Sequence, residues 1–507
     1  MAESVRCSTL VGVDGTPVMV EVDVAGGLPS VSIVGLADAA VREARVRVQA
    51  ALQNHGFTFP AGRISVNLAP AHLRKDGTGF DLAIAIGILA AQGVVPAARL
   101  AQTLVLGELS LAGEVRPVRG ALAAAQTAVA CGCTDVLLAQ QNAEEAALVE
   151  GIEVRTVLSL ADAVRWFRHG EQTGAPSKPV VYPVREEAGL PDLAEVRGQA
   201  LARRALEVAA AGGHHLLFIG GPGSGKTMLA RRLPGILPPL QRAEALEVIR
   251  VHSAAGLSKE PHVHSRPFRA PHHSITPAGL IGGGRSIPRP GELTLAHRGV
   301  LFLDELPEFP RQALECLREP METREIMLAR ACGLVRFPAA TQLVCAMNPC
   351  PCGYRHHPTR ACTCLPPQVQ RYQNRISGPL LDRLDIHLEV PPVSFAELES
   401  PRKEEDSAAV RRRVTQAREK QCIRLGAGRT NSDMDMEQLR LHAHLGEAER
   451  RLLRLAAERL ELSARSYTRI LRVARTIADL DDSERVGLTH LQEALQYRGW
   501  SQRVPAA

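Results

Sequence analysis

No stretch of this sequence reaches the roughly 18 consecutive apolar residues that a membrane-spanning helix requires, although 45% of its 507 residues are hydrophobic. Its opening residues also lack the charged, apolar and small-residue regions of a secretory leader. The eleven cysteines are therefore expected as thiols of a cytoplasmic protein rather than as a disulfide framework. Aromatic residues are scarce, at 3% with two tryptophans, which argues against a surface of stacking rings and points to aliphatic cores. Nor is there much excess of one charge: 60 Lys and Arg face 54 Asp and Glu. A net +6 permits a nucleic-acid partner without identifying one, so local clustering has to decide. The length accommodates about three domains, each able to bury a core.

The most informative stretch is His214-His215-Leu216-Leu217-Phe218-Ile219 followed by Gly220-Gly221-Pro222-Gly223-Ser224-Gly225-Lys226-Thr227. It is an apolar strand, a glycine-rich phosphate loop and the start of a helix, the order of elements that a GxxxxGKT motif requires. Glycines let successive backbone N–H groups turn toward the phosphates, and the helix N-terminus adds donors and a favourable dipole. Lys226 is then the cation for the β- and γ-phosphates, and the Thr227 hydroxyl a ligand of the nucleotide's Mg²⁺. A second apolar strand, Gly299 to Leu303, ends in Asp304-Glu305. Asp304 suits the magnesium shell and Glu305 the polarisation of the attacking water, so ATP hydrolysis is expected as well as binding.

Ahead of this motor, residues 1–170 alternate strand and helix patterns, with strands about an Asp14-Gly15 turn, at 29–34, 64–68 and 104–109, and helices at 37–53, 81–92 and 121–131. This is an α+β or α/β domain. Two of its stretches, 69–79 (APAHLRKDGTG) and 107–118 (GELSLAGEVRPV), resemble the signature regions of the Lon protease proteolytic domain. That resemblance implies a ribosomal S5 domain 2-type α+β fold. It also puts Gly79 at the nucleophile's place and Leu122 at the lysine's, and neither can do nucleophilic chemistry. A Lon-like domain without its dyad resembles the terminal domain of the recombination protein RadA, which implies a platform for assembly and DNA contact; the alternative is a purely structural role. Arg74 and Lys75 read as a solvated charge pair, with contact to DNA as the alternative. Residues 171–189, rich in Gly, Pro and charge, read as a linker.

Residues 190–395 carry further motifs. The turn Val196-Arg197-Gly198-Gln199 and the helix 200–211 resemble the adenine-side element of AAA+ ATPases. In the same way the strand ending at Asn348 resembles sensor 1, whose amide orients the attacking water. Residues 378–386 (GPLLDRLDI) resemble the arginine-finger segment, with Arg383 as the finger. The resemblance implies that Arg383 reaches a neighbouring subunit's nucleotide, hence a ring, and a hexamer in this class. Residues 268–291 resemble the helix-two insert of magnesium chelatases and MCM helicases, and 324–338 read as a hairpin turning near Gly333, like the one that precedes sensor 1 in that clade. These loops carry Arg285, Arg289, Arg330 and Arg336, so phosphate contact with DNA is chemically available, against the plainer reading of solvated basic loops.

Cys350-Pro351-Cys352 and Cys362-Thr363-Cys364 are two CxC pairs nine residues apart, with His356 and His357 between them. Four soft ligands in a short loop suit tetrahedral Zn²⁺. The alternatives are a histidine replacing one cysteine, or unliganded thiols. Residues 396–507 read as a helical lid with helices at 408–423, 437–442, 447–458, 464–479 and 488–496. Ser463-Ala464-Arg465-Ser466 resembles the start of the sensor-2 helix, making Arg465 the γ-phosphate contact, with Arg469 a turn away as the alternative.

The order of these motifs resembles the YifB/ComM branch of magnesium-chelatase-like AAA+ proteins along essentially the whole chain. The resemblance implies a multidomain α/β protein: a Lon-like domain, a P-loop core and a helical lid. It further implies a hexameric ATP- and Mg²⁺-dependent helicase driving branch migration of incoming single-stranded DNA in natural transformation. A chelatase motor inserting Mg²⁺ into a porphyrin, and an assembly factor using ATP only as a switch, are the rivals. Peptide hydrolysis is not expected.

Overall fold

The computed structural model describes residues 2–171, 189–257, 265–284, 288–330, 333–355, 357–399, 404–459 and 462–498. Almost all of the expected linker therefore lies outside the described residues, as does Arg285.

The first domain is built on strands β1 (Glu3–Val11), β2 (Asp14–Ala25), β3 (Ser30–Val34), β4 (Arg63–Ala69) and β5 (Thr103–Val105). A short ribbon of β6 (Glu108–Leu109) and β7 (Val115–Arg116) follows, then β8 (Asp135–Ala139) and β9 (Glu153–Val157). All but the ribbon form one mixed sheet in the order β3-β4-β2-β1-β5-β8-β9. The chain turns between β1 and β2 at Gly12-Val13, two residues earlier than the expected Asp14-Gly15, because Gly12 takes the left-handed φ of +69° that closes the hairpin. The apolar run at 104–109 is likewise not one strand. It breaks at Leu106-Gly107, where the Gly107 N–H turns away to Gly79 O. Lys75 is not a solvated partner of Arg74: it is buried, and its ammonium donates to Pro70 O.

The motor contains β10 (Leu216–Ile219), β11 (Phe268–Arg269), β12 (Val300–Leu303), the hairpin β13 (Glu325–Arg330) and β14 (Gly333–Pro338), then β15 (Gln342–Met347) and β16 (Ile386–Glu389). Five of these form an entirely parallel sheet, ordered β11-β12-β15-β10-β16. A parallel sheet is covered on both faces, which is why its strands read as unbroken apolar runs. Leu216, Phe218, Val300, Phe302, Val344 and Ala346 face one core. Leu217, Ile219, Leu301, Leu303, Leu343 and Cys345 face the other.

The C-terminal helices Ser407–Leu425, Met436–His442, Glu447–Arg459, Ala464–Leu480 and Leu488–Gln496 fall where expected. They do not form a separate core. Val410, Val414, Ile470, Ala474 and Leu491 join the helix Ala200–Gly212 in covering the first face of the motor sheet.

The opposite face is where the first domain docks. Val13, at the β1–β2 turn, enters the same apolar cluster as Val335 and Phe337 of the β13–β14 hairpin. Beside it, Leu122 and Leu148 pack with Ile249 of the motor helix Arg242–Ala255. Ser253 of that helix accepts from Gly120 N (2.9 Å) and donates to the buried Glu145 carboxylate, which also accepts from Leu122 N (2.7 Å). Ion pairs Arg250–Asp14 (2.8 Å) and Arg242–Glu150 flank the contact.

Candidate active site

Because β10, β12 and β15 run parallel, their carboxyl ends open on one edge, the place where ligands bind in open α/β sheets. Gly220 leaves β10 with its N–H on Met347 O (3.1 Å), and a Cβ on it would stand 2.4 Å from Val390 O. The backbone there has room only for glycine. Gly223 and Gly225 follow at φ +75° and +90°, and the helix Lys226–Ile236 begins.

Lys226 Nζ folds onto the loop, donating to Gly220 O (2.7 Å) and Gly221 O (2.8 Å) and lying 3.3 Å from Asn348 Oδ1. Burial lowers its pKa, against the pull of Asp304 and Glu305. The Thr227 hydroxyl donates to Asp304 Oδ2 at 2.6 Å, so the two expected magnesium ligands meet at one point. Lys226, Thr227, Asp304 and Asn348, drawn from three strands' ends, thus converge on a single site. A hydroxyl oxygen and a carboxylate are the hard donors that Mg²⁺ takes alongside a nucleotide's phosphates.

Glu305 is exposed and sits at φ +54°, in the left-handed region. Its carboxylate lies 3.2 Å from His273 Nδ1, whose ring lies tilted beside His272 and edge-on to Phe309. Sequence reasoning quoted His273 only as part of the insert. The signal that could have found it is a histidine just beyond β11, the strand neighbouring the one that ends in Glu305.

Arg383 and Arg465 are elsewhere. Both line a cleft of about 600 Å³ with His215, Gln342 and Asp385, residues at the amino edge of the sheet. The four residues of β10, at roughly 3.3 Å each and so about 13 Å in all, separate that edge from the phosphate loop. Arg465, expected as the γ-phosphate contact, thus lines a cleft at the edge opposite the phosphate loop of the same chain. It shares the Arg383 cleft, near enough to lower the Arg383 pKa along with the larger effect of burial. Arg383 is buried and tied to Glu322 Oε1 (2.7 Å) and Pro379 O (2.7 Å), while its Nε has no partner. Arg469, the alternative, is engaged internally with Asp385 Oδ1 (2.5 Å) and Arg383 O (2.7 Å).

Arg330 is exposed at the hairpin turn and Arg336 exposed on β14 opposite Met327. Arg289 is exposed where the insert closes on itself, pairing with Gly283.

Cys350, Cys352, Cys362 and Cys364 bring their four Sγ atoms within 4.8 Å of one another. The separations Cys350–Cys352 (3.4 Å), Cys352–Cys362 (3.6 Å) and Cys350–Cys362 (3.7 Å) are far from a disulfide. They lie close to the roughly 3.8 Å edge of a tetrahedron with metal–sulfur bonds of about 2.3 Å. Amide hydrogens of Tyr354 and Thr363 turned on Cys352 pull its thiol down to about 6, and the Cys352 N–H meets Cys364 Sγ at 3.4 Å. The donor set fits a soft, tetrahedral metal. His357 instead accepts from Thr359 N and Arg360 N through Nδ1, and His356 lies outside the described residues.

This site defines a P-loop nucleotide-binding protein of the AAA+ type. Family descriptions of the magnesium chelatase subunit ChlI match residues 20–142 and 192–398, and its C-terminal part matches 404–498. The chain belongs to the YifB/ComM family of these magnesium-chelatase-like AAA+ proteins. It is 42% identical over 498 residues to the uncharacterized protein YifB of Salmonella typhimurium, covering 97% of this chain and 96% of that one. To the competence protein ComM of Haemophilus influenzae it is 44% identical over 496 residues, covering 96% and 95%. The family implies ATP and Mg²⁺ as cofactors. Among the described residues no helix is long and apolar enough to cross a membrane.

Proposed function

We propose that this protein is a ring-forming, ATP-driven DNA motor that moves strand junctions when single-stranded DNA recombines during natural transformation. The observation that carries the proposal is the split between two edges of one sheet. Lys226, Thr227, Asp304 and Asn348 converge at the carboxyl edge, whereas Arg383 and Arg465 line the cleft at the amino edge. An arginine placed so far from its own phosphate loop reaches a triphosphate only across a subunit boundary, which calls for a closed homo-oligomer, a hexamer in this class. In that ring Lys226 binds the β- and γ-phosphates, Thr227 and Asp304 hold Mg²⁺, and Glu305 with Asn348 orients the attacking water.

DNA is the proposed track because Arg289, Arg330 and Arg336 are exposed on the insert and hairpin, with Arg285 in the same insert. Four cations on glycine-bearing loops suit phosphate contact without base reading. The resemblance of the chain to a competence protein supports the same setting, and the proposal places the protein in the cytoplasm, where ATP and chromosome are both at hand. The four cysteines are proposed to hold one structural Zn²⁺.

The deciding experiment uses the purified full chain with a labelled three- or four-way DNA junction, ATP and Mg²⁺. The wild type should resolve junctions, and Lys226→Ala should neither bind nor hydrolyse ATP. Normal ATP turnover with junctions left intact would overturn the motor reading, and metalation of protoporphyrin in its place would favour the chelatase motor.

A further inference from the structure

The cysteine cluster and the phosphate loop are not neighbours by accident of chain order alone. Between Met347, where β15 ends, and Pro366, where the next helix begins, the described chain has no strand or helix. Yet it touches the nucleotide loop at three points. Met347 O accepts from Gly220 N (3.1 Å), Asn348 Oδ1 lies 3.3 Å from Lys226 Nζ, and Gly353 is pressed against Pro222. The last contact sets the Gly353 backbone against the Pro222 ring. A Cβ built on Gly353, at φ +81°, would stand 2.5 Å from Pro222 Cδ, and one on Gly221 would stand 3.0 Å from Gly353 O.

Two of the four thiols, Cys350 and Cys352, fall between the Asn348 and Gly353 contacts. The turn that carries them is closed by Gly353 N on Cys350 O (3.0 Å) and steadied by Gln373 Nε2 on Pro349 O (3.0 Å). Cys362 and Cys364 arrive from the far end of the loop. A metal across all four therefore ties the far end of the loop to the very residues that face the phosphates. Without it, a 348–365 segment with no strand or helix among its described residues has to be ordered each time nucleotide binds, at an entropic cost to affinity.

We propose that the metal-clamped cysteine loop is the outer wall of the nucleotide site, so that occupancy of the four-cysteine centre sets the affinity for Mg·ATP. This rests on the zinc reading given above. The clamp positions Gly353 and Asn348; it takes no part in the chemistry at the γ-phosphate.

The test is calorimetric titration of Mg·ATP into the untagged full chain as purified, after chelator stripping, and after return of Zn²⁺, with metal content measured on each sample. A displacement of about 1 Å can change a site's performance by about 10²-fold, so stripping should weaken Mg·ATP binding at least about tenfold and Zn²⁺ should restore it. Gly353→Ala should keep its full metal and still lose affinity, because the added methyl displaces Pro222. Cys364→Ser should lose metal and affinity together, and Cys364→His should recover both. A stripped, folded protein that binds Mg·ATP as tightly as the metal-loaded one overturns the wall while leaving the metal site standing. Less than about one tenth of an equivalent of metal in the protein as purified overturns the zinc reading, and the wall with it. Should stripping unfold the chain, Gly353→Ala decides alone: unchanged affinity with full metal refutes the proposal.

Discussion

Glu305 illustrates how much of this site depends on single side chains. It leaves β12 at φ +54°, a conformation that a non-glycine residue holds only when its surroundings enforce it. That bend takes its carboxylate out of line with β12 and toward His273. A general base contributes about 10² to 10⁴ in rate, so Glu305→Gln should bind Mg·ATP normally while single-turnover hydrolysis falls by at least about 10². Equal losses in binding and turnover would mean that Glu305 is a magnesium ligand instead. Ser253 is the corresponding pivot of the domain contact. Its hydroxyl accepts from Gly120 N and donates to Glu145, a carboxyl whose pKa burial raises. Ser253→Ala leaves the buried Gly120 N–H without its acceptor and the Glu145 carboxylate with Leu122 N as its donor, which costs about 1–3 kcal/mol. Its urea midpoint should drop accordingly, and an unchanged midpoint would show that water replaces the hydroxyl. Leu122 serves as apolar packing against Ile249 in the same contact.

At the scale of elements, the lid is joined to the motor by buried polar groups as well as by its apolar face. Burial alone would raise Asp385, but the Arg469 guanidinium on the lid helix and the His214 ring, 3.4 Å away, bring it well below the usual carboxylate range. His387, on β16, is pushed down to about 3 by burial and is neutral in the folded protein. The unfolded chain takes up the His387 proton near pH 6.5, so stability is full above that value and falls by up to about 1.4 kcal/mol per pH unit as the pH drops toward 3. The contribution of Asp385, a lowered carboxyl, is present above about pH 3.8 and is lost below it. Melting temperature should therefore decline from pH 7 to pH 5, and His387→Phe should flatten that decline even if it lowers the starting value; an identical slope would assign the effect to other groups. These elements were largely legible in the sequence, because a parallel sheet demands apolar runs and its loops demand glycine. The contacts between them were not. Nothing local to Gly353 signals that it abuts Pro222, and nothing local to Arg465 places it beside Arg383 rather than over Lys226, since both depend on how distant segments pack. The hairpin turn at Gly12 was missed for a different reason: Gly12 and Gly15 are equally good turn residues, and only the pairing of Leu10 with Gly15 chooses between them.

At the scale of the whole molecule, the residues proposed for catalysis are divided between the two edges of one sheet. The carboxyl edge supplies the phosphate loop, the acids and Asn348, but within the chain no arginine of the Arg383 cleft reaches it. The amino edge holds Arg383 with an unpartnered buried Nε, restrained by Glu322, together with the exposed Arg465. If neighbouring chains complete one another, an arginine contributed in trans accelerates phosphoryl transfer by about 10³ to 10⁵. An Arg383→Ala chain then silences its neighbour's site and still binds ATP at its own. Mixed with wild type at increasing ratio and allowed to re-equilibrate, it should depress ATP turnover more steeply than the falling wild-type fraction. The same series with Lys226→Ala, which damages only the site that it occupies, separates loss of a shared arginine from general poisoning of the ring. Turnover that tracks the wild-type fraction in a straight line for Arg383→Ala, or chains that sediment as monomers with every nucleotide, would show that each subunit works alone, and the split between the two edges would then need another explanation.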